Sequence, residues 1–165
     1  MRNVVAIIAH KDYNKYLHEA IASCFNQTYK TDVCIVDDGS KESIEPIIQK
    51  FDQYKDRIHF LQNDKNYGPS YSRNRAIKYC YDKYDAFMIL DADDIMCEKK
   101  VETMIPYLKD IVGIVYGDYT IFDESLNIYR EEYKHSYDYL LLQKNCIIHS
   151  GSLISKEALN YARLN

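Results

Sequence analysis

Asp91, Asp93 and Asp94 follow directly on the apolar run Ala86-Phe87-Met88-Ile89-Leu90, so a buried-type strand delivers three carboxylates to one point. At ~4 Å and an effective dielectric near 20, two such charges repel by about 4 kcal/mol. A divalent cation removes that cost, and a phosphorylated ligand completes the cation's oxygen shell. Asp at a strand end also serves as a helix N-cap or closes an Asx-turn. The tetrapeptide alone supports both readings, and the choice rests on what else the chain brings to the same place.

Two more acid-bearing turns follow strand-like runs. Asp37 and Asp38 close Val33-Cys34-Ile35-Val36, and His10 and Asp12 follow Val4-Val5-Ala6-Ile7-Ile8-Ala9. If these strands are parallel neighbours, all of these groups gather at one rim, where ligands of open α/β sheets bind. No glycine-rich phosphate loop of the dinucleotide or Walker type occurs, so phosphates would be held by metal and by Arg or Lys. Arg73 is the candidate. It lies three residues before Ala76 and four before Ile77, on the stripe continued by Cys80. An arginine there requires an anionic partner, either a ligand or one of Asp37, Asp38 and Asp91. Arg75 is expected to face solvent.

The elements that must position these residues alternate. After the first strand, Tyr13–Asn26 reads as a helix, with Tyr16, Leu17, Ala20, Ile21, Cys24 and Phe25 at helical spacing. Glu42–Tyr54 carries Ile44, Ile47, Ile48 and Phe51 on one helical face, and Ile58–Leu61 is a short strand. Gly68-Pro69-Ser70 opens a helix running to about Tyr81, with proline where a first turn accepts it. Asp85–Leu90 is the fourth strand, and Glu98–Leu108 a helix that Pro106 bends or ends. Gly113–Tyr119 reads as a strand, Thr120–Arg130 as a hairpin around Ser125-Leu126-Asn127, and Tyr137–Gln143 as a short helix. Cys146–Ile154 is expected as a last strand, with Ser155 capping a terminal Lys156–Leu164 helix. This order implies an α/β fold, a mostly parallel sheet with helices on both faces.

The 165 residues fit a single domain, 1–165, and a net charge of −4 argues against nucleic acid or anionic lipid as a general partner. The first apolar run is too short for a signal segment, and no run approaches the ~20 residues needed to cross a bilayer. Five scattered cysteines without a C-x-x-C read as reduced, mostly buried thiols of a cytoplasmic protein, one whose proximity to the membrane surface is left open. Seventeen tyrosines stand against no tryptophan. Tyrosine can stack on sugar rings, but here the tyrosines are spread over helices and loops and read as amphipathic boundary residues.

Four segments, in order, resemble family 2 glycosyltransferases. Lys15-Tyr16-Leu17-His18-Glu19-Ala20-Ile21-Ala22-Ser23-Cys24-Phe25-Asn26-Gln27-Thr28-Tyr29 is similar to that family's first helix, and Val36-Asp37-Asp38-Gly39-Ser40 to its second-strand motif. Asn66-Tyr67-Gly68-Pro69-Ser70-Tyr71-Ser72-Arg73-Asn74-Arg75-Ala76-Ile77 resembles its N-x-G-x-S-x-x-R-N-x-[AG]-I helix start, and Leu90-Asp91-Ala92-Asp93-Asp94 its D-x-D element. The resemblance implies a GT-A fold and inverting transfer of a sugar from a nucleotide-diphosphate donor, a UDP-sugar first, to a saccharide or other hydroxyl acceptor. It also implies roles. Asp37 or Asp38 would contact the nucleobase, Ala9 and His10 would line the nucleoside pocket, and Arg73 would lie near base or diphosphate. Asp91 would face ribose or metal with Ala92 beside it, and Asp93 would bind Mn2+ or Mg2+. Asp118 and His149 are candidates for the acceptor side.

Three departures from the family pattern stand out. Ala9-His10-Lys11-Asp12 replaces its P-x-Y-N, and Asn14 stands where it often has an acid. The family's catalytic base, an Asp in an E-D pair, falls beyond a segment like Ile148–Ser155. Only Glu157 follows His149, within the terminal helix, so the base is left unassigned and a missing C-terminal region or a partner chain is expected. A non-catalytic nucleotide-sugar-binding or partner-binding module is the rival from another class. A nucleotidyltransferase would need a glycine-rich basic loop, for which Lys11 alone is a poor substitute.

Overall fold

The computed structural model describes residues 1–109, 113–146 and 148–161. Its centre is a six-stranded sheet in the order β3-β2-β1-β4-β8-β5. β1 (Val4–His10), β2 (Thr31–Asp37), β3 (Ile58–Gln62) and β4 (Ala86–Asp91) run parallel. β5 (Ile114–Val115) and β8 (Leu153–Ser155) add an antiparallel edge, β8 pairing with both β4 and β5. A separate hairpin joins β6 (Tyr119–Phe122) to β7 (Ile128–Glu132).

The first strands are apolar throughout because both of their faces are covered. Val4, Ala6 and Ile8 point to one cluster, with residues of α1 (Asn14–Phe25), α2 (Glu45–Ile48) and α4 (Lys100–Met104). Val5 and Ile7 point to the other, with α3 (Pro69–Cys80) and Leu159 of α6 (Lys156–Tyr161). Registers bring the strand ends level: His10 lies opposite Asp37, and Ala9 opposite Asp91. The acid-bearing turns therefore share one rim. The hairpin forms around Leu126 as expected, and Ser155 Oγ accepts from Ala158 N at 3.0 Å as the cap of α6.

Four elements differ from expectation. The helix over Glu42–Tyr54 is only the four-residue α2, followed by irregular 3-10 turns over Gln49–Arg57. Pro46 has no N–H to give and is tolerated only in a first turn, so the helix cannot begin as early as Glu42. Glu98–Leu108 shortens to α4 and a 3-10 turn, Ile105–Tyr107, where Pro106 ends it. Gly113–Tyr119 divides: two residues pair as β5 and the chain then leaves for the hairpin. Of Cys146–Ile154, Leu153 and Ile154 enter β8 as its first two residues, because Gly151 at φ +83° and a Ser152 Oγ–His149 O bond of 2.6 Å turn the preceding chain away. Residue 147 of that expected strand, and residues 162–164 of the expected terminal helix, lie outside the described residues. α5 (Tyr139–Leu142) forms within the expected segment, capped by Asp138.

Phe87 of β4 is fully buried between β1, β8 and α3. Phe87→Ala should cost about 3–5 kcal/mol, read as a lower urea midpoint with an unchanged slope.

Candidate functional site

At the end of β4 the chain makes a turn closed by Asp94 N to Asp91 O at 3.1 Å. Asp91 is half-buried and paired with Arg73 Nη2, while Ala92 is buried and Asp93 exposed. Loss of water around Asp94, with the charges of Asp91 and Asp93, raises its carboxyl above the usual range; Lys100 and Ser150 act against this. Like charge is thus crowded here, and positive charge is wanted. Among the described residues, no three His, Cys, Asp or Glu side chains form a ready metal cage. A hard divalent cation bound together with phosphate needs only one or two carboxylates, and Asp91 and Asp93 fit that more modest requirement.

Arg73 settles on Asp91 rather than on Asp37 or Asp38. Its Nε is buried and has no acceptor, so the guanidinium retains an unfilled donor beside the acids. Arg75, expected in solvent, is half-buried and donates to Gln62 O and Asn63 Oδ1. β3 is the edge strand, and Arg75 reaches a carbonyl and an amide oxygen at its end.

Asp37 and Asp38 are both buried. Asp38 accepts from Asn63 Nδ2 at 2.6 Å, Tyr67 N at 3.0 Å and Gly68 N at 2.7 Å, holding the approach to α3. Burial opposes its charge, but those bonds and Ser72 outweigh it and keep the carboxyl below the usual range. Asp37 Oδ1 accepts from Ser40 N at 3.2 Å and lies 3.5 Å from His10 Nδ1. His10 is also buried, and its Nε2 accepts from Tyr13 N at 3.1 Å. That bond requires the neutral ring with its proton on Nδ1. Burial lowers the ring's pKa further than Asp37 raises it. Ala9, half-buried opposite Asp91, is the more open of the two residues expected at the nucleoside.

Asp12 takes a left-handed φ of 56°, and its carboxylate accepts from Lys41 N at 2.9 Å and Lys11 Nζ at 2.8 Å. Ser40 Oγ accepts from Asp12 N at 3.0 Å, so the β1 and β2 loops are tied together. Gly39 lies where a Cβ would come within 2.7 Å of the Lys65 backbone.

Asp118 and His149 sit on adjoining loops. Asp118 accepts from Lys134 N at 2.7 Å, and His149 Nε2 donates to Gly117 O at 2.8 Å. Burial lowers the His149 pKa, with Lys100 and Lys134 adding to it and the Gly117 bond opposing. Glu157 lies away from the rim, 3.6 Å from Arg2 at the opposite end of the sheet.

Sequence reasoning missed the braces. Met96 N donates to Ser23 Oγ at 3.1 Å; Gln27 donates to Cys97 O at 2.8 Å and accepts from Val101 N at 3.1 Å. Ser23 gave a signal, as a polar residue on the buried side of α1, whereas Gln27 lies just beyond the helix. Asn63, bridging Asp38 and Ser72, gave no comparable signal.

Rim, sheet order and loop-borne acids define a GT-A type nucleotide-sugar transferase fold, and solved structures share it. A mannosyltransferase from Pyrobaculum calidifontis, solved with GDP-Man and Mn2+, superposes with a TM-score of 0.73 over 98% of this chain and 47% of its own, at 16% identity. TarS 1-349 of S. aureus, solved with UDP, gives 0.64 over 97% and 48%, at 15% identity. The glycosyl transferase family 2 model matches residues 4–161, and the chain belongs to that family. An uncharacterised glycosyltransferase of Methanocaldococcus jannaschii is 29% identical, over 94% of this chain and 56% of the relative. The E. coli enzyme UDP-Glc:alpha-D-GlcNAc-diphosphoundecaprenol beta-1,3-glucosyltransferase is 31% identical, over 77% and 49%. The chain spans about half the length of these relatives.

Two stability measurements check the site. Asp38→Asn should cost about 1–3 kcal/mol, because an amide cannot accept all of the donors now on the carboxylate. Asp38, with its folded pKa below the ordinary 3.8, contributes stability above that pH that is lost as pH falls through the folded value. His10 behaves in the same direction for a different reason: below the ordinary 6.5 the unfolded chain takes up a proton that the folded ring resists. Thermal stability should therefore fall from pH 7.5 to 5.5, and His10→Asn should flatten that slope.

Proposed function

We propose that this chain carries the donor-binding machinery of a metal-dependent, inverting glycosyltransferase taking a nucleotide-diphosphate sugar, a UDP-sugar first. The observation that carries the reading is the convergence of Asp91, Asp93 and Arg73 at one rim, with Arg73 Nε buried and unfilled. Asp93 and Asp91 would hold Mn2+ or Mg2+, which when bound supplies Lewis-acid stabilisation of the departing diphosphate. Arg73, fixed by Asp91, offers its remaining N–H groups to the diphosphate oxygens and needs no reorganisation to do so. Ala9 and Ala92 would lie beside the nucleoside at the ends of β1 and β4. Names of the structural relatives support the class of donor, since GDP-Man with Mn2+ and UDP are the ligands they bind. An acceptor hydroxyl would approach from the Asp118–His149 side. Asp37 and Asp38 act on the nucleobase through the loops they hold.

A second reading is nucleotide-sugar binding without turnover. It is favoured by Glu157, which pairs with Arg2 at the far end of the sheet instead of reaching the rim. No described helix is long and apolar enough to cross a membrane.

UDP and GDP titrated with and without Mn2+ test the donor assignment. Affinity should depend on metal, and Asp93→Ala should weaken it roughly tenfold or more, a loss of at least about 1.4 kcal/mol. Equal affinity in the variant would remove the metal assignment. Sustained sugar transfer or donor hydrolysis by this chain would exclude the second reading.

A further inference from the structure

Lys100 stands at the first position of α4, where a helix favours acids over cations, so α4 itself does not call for a lysine there. Its side chain turns toward the loop before β8. A Cβ on Gly151 would come within 2.8 Å of Lys100 Nζ and 3.2 Å of His149 Cε1, so ammonium, glycine and imidazole are packed together. That loop is bonded to the strand that bears the acids. Gly151 N donates to Ile89 O at 2.6 Å, and Ile89 N donates to Ser152 O at 3.1 Å. Ser150, beside Gly151, bonds the Asp94 carboxyl. The ammonium thus rests on the loop that touches Asp94, and its charge acts on that carboxyl.

Lys100 is half-buried, yet it forms no ion pair among the described residues. Burial lowers its pKa from the ordinary 10.5, with Cys97 and Asp94 acting the other way. Withdrawing an ammonium from water is unfavourable unless negative charge compensates it, and the acid turn is the anionic group at hand. Arg73 is locked to Asp91, whereas Lys100 is a point charge on a flexible stem, free to change partners.

We propose that Lys100 is an internal counter-ion of the acid turn, one that weakens the rim's hold on a lone divalent cation and then serves the diphosphate. The proposal rests on the metal and donor reading above. Asp91, Asp93 and Asp94 carry three formal negative charges against one positive charge each on Arg73 and Lys100. A single uncompensated negative charge attracts a divalent cation only moderately, and loss of Lys100 would double it. Once the cation is bound, the balance at the rim is positive, and the same ammonium attracts the anionic diphosphate. Metal alone is then held loosely, and metal with diphosphate firmly. The two ligands are coupled through a residue outside the carboxylate pair that would hold the metal.

Titration of the intact chain with MnCl2, read by Mn2+ EPR in the absence of nucleotide, tests the proposal. Lys100→Met and Lys100→Gln should each bind Mn2+ about tenfold more tightly than the parent. At saturating Mn2+ their affinity for UDP should instead fall severalfold. Lys100→Arg, which keeps the charge, should stay near the parent in both measurements. Opposite signs for metal and nucleotide mark an electrostatic role, because a merely loosened turn would weaken both. The proposal is overturned if the neutral variants bind Mn2+ no more tightly than the parent, or if they lose Mn2+ and UDP together. In the parent itself, Mg2+ should shift the NMR signal of the Lys100 side-chain methylene next to Nζ, recognised by its disappearance in Lys100→Arg. An unmoved signal overturns the proposal even where the neutral variants fail to fold. Asp93→Ala separates the two ideas: undiminished Mn2+ binding there removes the metal reading and this role with it. Lost Mn2+ binding in Asp93→Ala, without a gain in the Lys100 variants, removes only the role of Lys100.

Discussion

Repulsion among Asp91, Asp93 and Asp94 is the constraint around which this structure is arranged. Carboxylates so close together would open the turn unless neighbouring elements hold it. Arg73 of α3 takes one of them, and Lys100 at the start of α4 opposes the charge of another. Ser23 of α1, with Gln27 just after the helix, fixes the segment just beyond the turn, and the approach to β8 fixes the strand just before it, Gly151 N donating to Ile89 O at 2.6 Å. Four elements, from both faces and from the sheet itself, therefore converge on one tetrapeptide. A turn needed only to redirect the chain would not require so much support. Acids held in this way are presented to a ligand with little left to reorganise.

A similar economy joins the loops after β1 and β2. Asp12, in a left-handed conformation that Asp and Asn tolerate better than most residues, reaches across to Lys41 N and Lys11. His10 and Asp37, opposite one another in the register, are buried together beneath this join. The replacement of the family's P-x-Y-N by Ala9-His10-Lys11-Asp12 is thus not simply a loss of contacts. The new residues form a different clasp, with Ser40 and Gly39 as its other half. Asp38 extends the network to Asn63 and the start of α3, so the buried acids act on the rim by fixing its loops.

The central architecture was legible because strands buried on both faces must be apolar throughout, as Val4–Ala9 and Ala86–Leu90 are. Arg73 was legible for a related reason: a cation on a buried stripe requires an anion. Periodicity could not reveal the chain after Leu108. There, Pro106, Gly151 and the short partner strand decide what pairs, and continuous apolar character no longer implies a continuous strand. Around α2 the helical face is good from Ile44 to Phe51, but Pro46 overrides it and confines the helix to four residues. Side-chain bonds to main chain, such as those of Gln27 and Asn63, depend on which loops meet, and local sequence carries little trace of that.

Packing differs sharply between the two sides of the rim. Buried clusters draw on β1 to β4 and their helices, whereas β7 exposes Ile128 and Tyr129 and the hairpin shows Leu126 at its tip. Glu124 at that tip meets Lys15 Nζ at 2.7 Å and Tyr16 Oη at 2.5 Å, at the start of α1. Exposed ion pairs of this type are screened by water and contribute little, so the hairpin is anchored to the body chiefly by its two ends. The loops on the β1–β4 side of the rim are thus fixed by buried bonds, whereas the hairpin side keeps its aromatic and aliphatic faces uncovered. Burial across the rim follows from that difference: loops tied by buried side chains cannot open without stranding polar groups, and a hairpin held by its ends can.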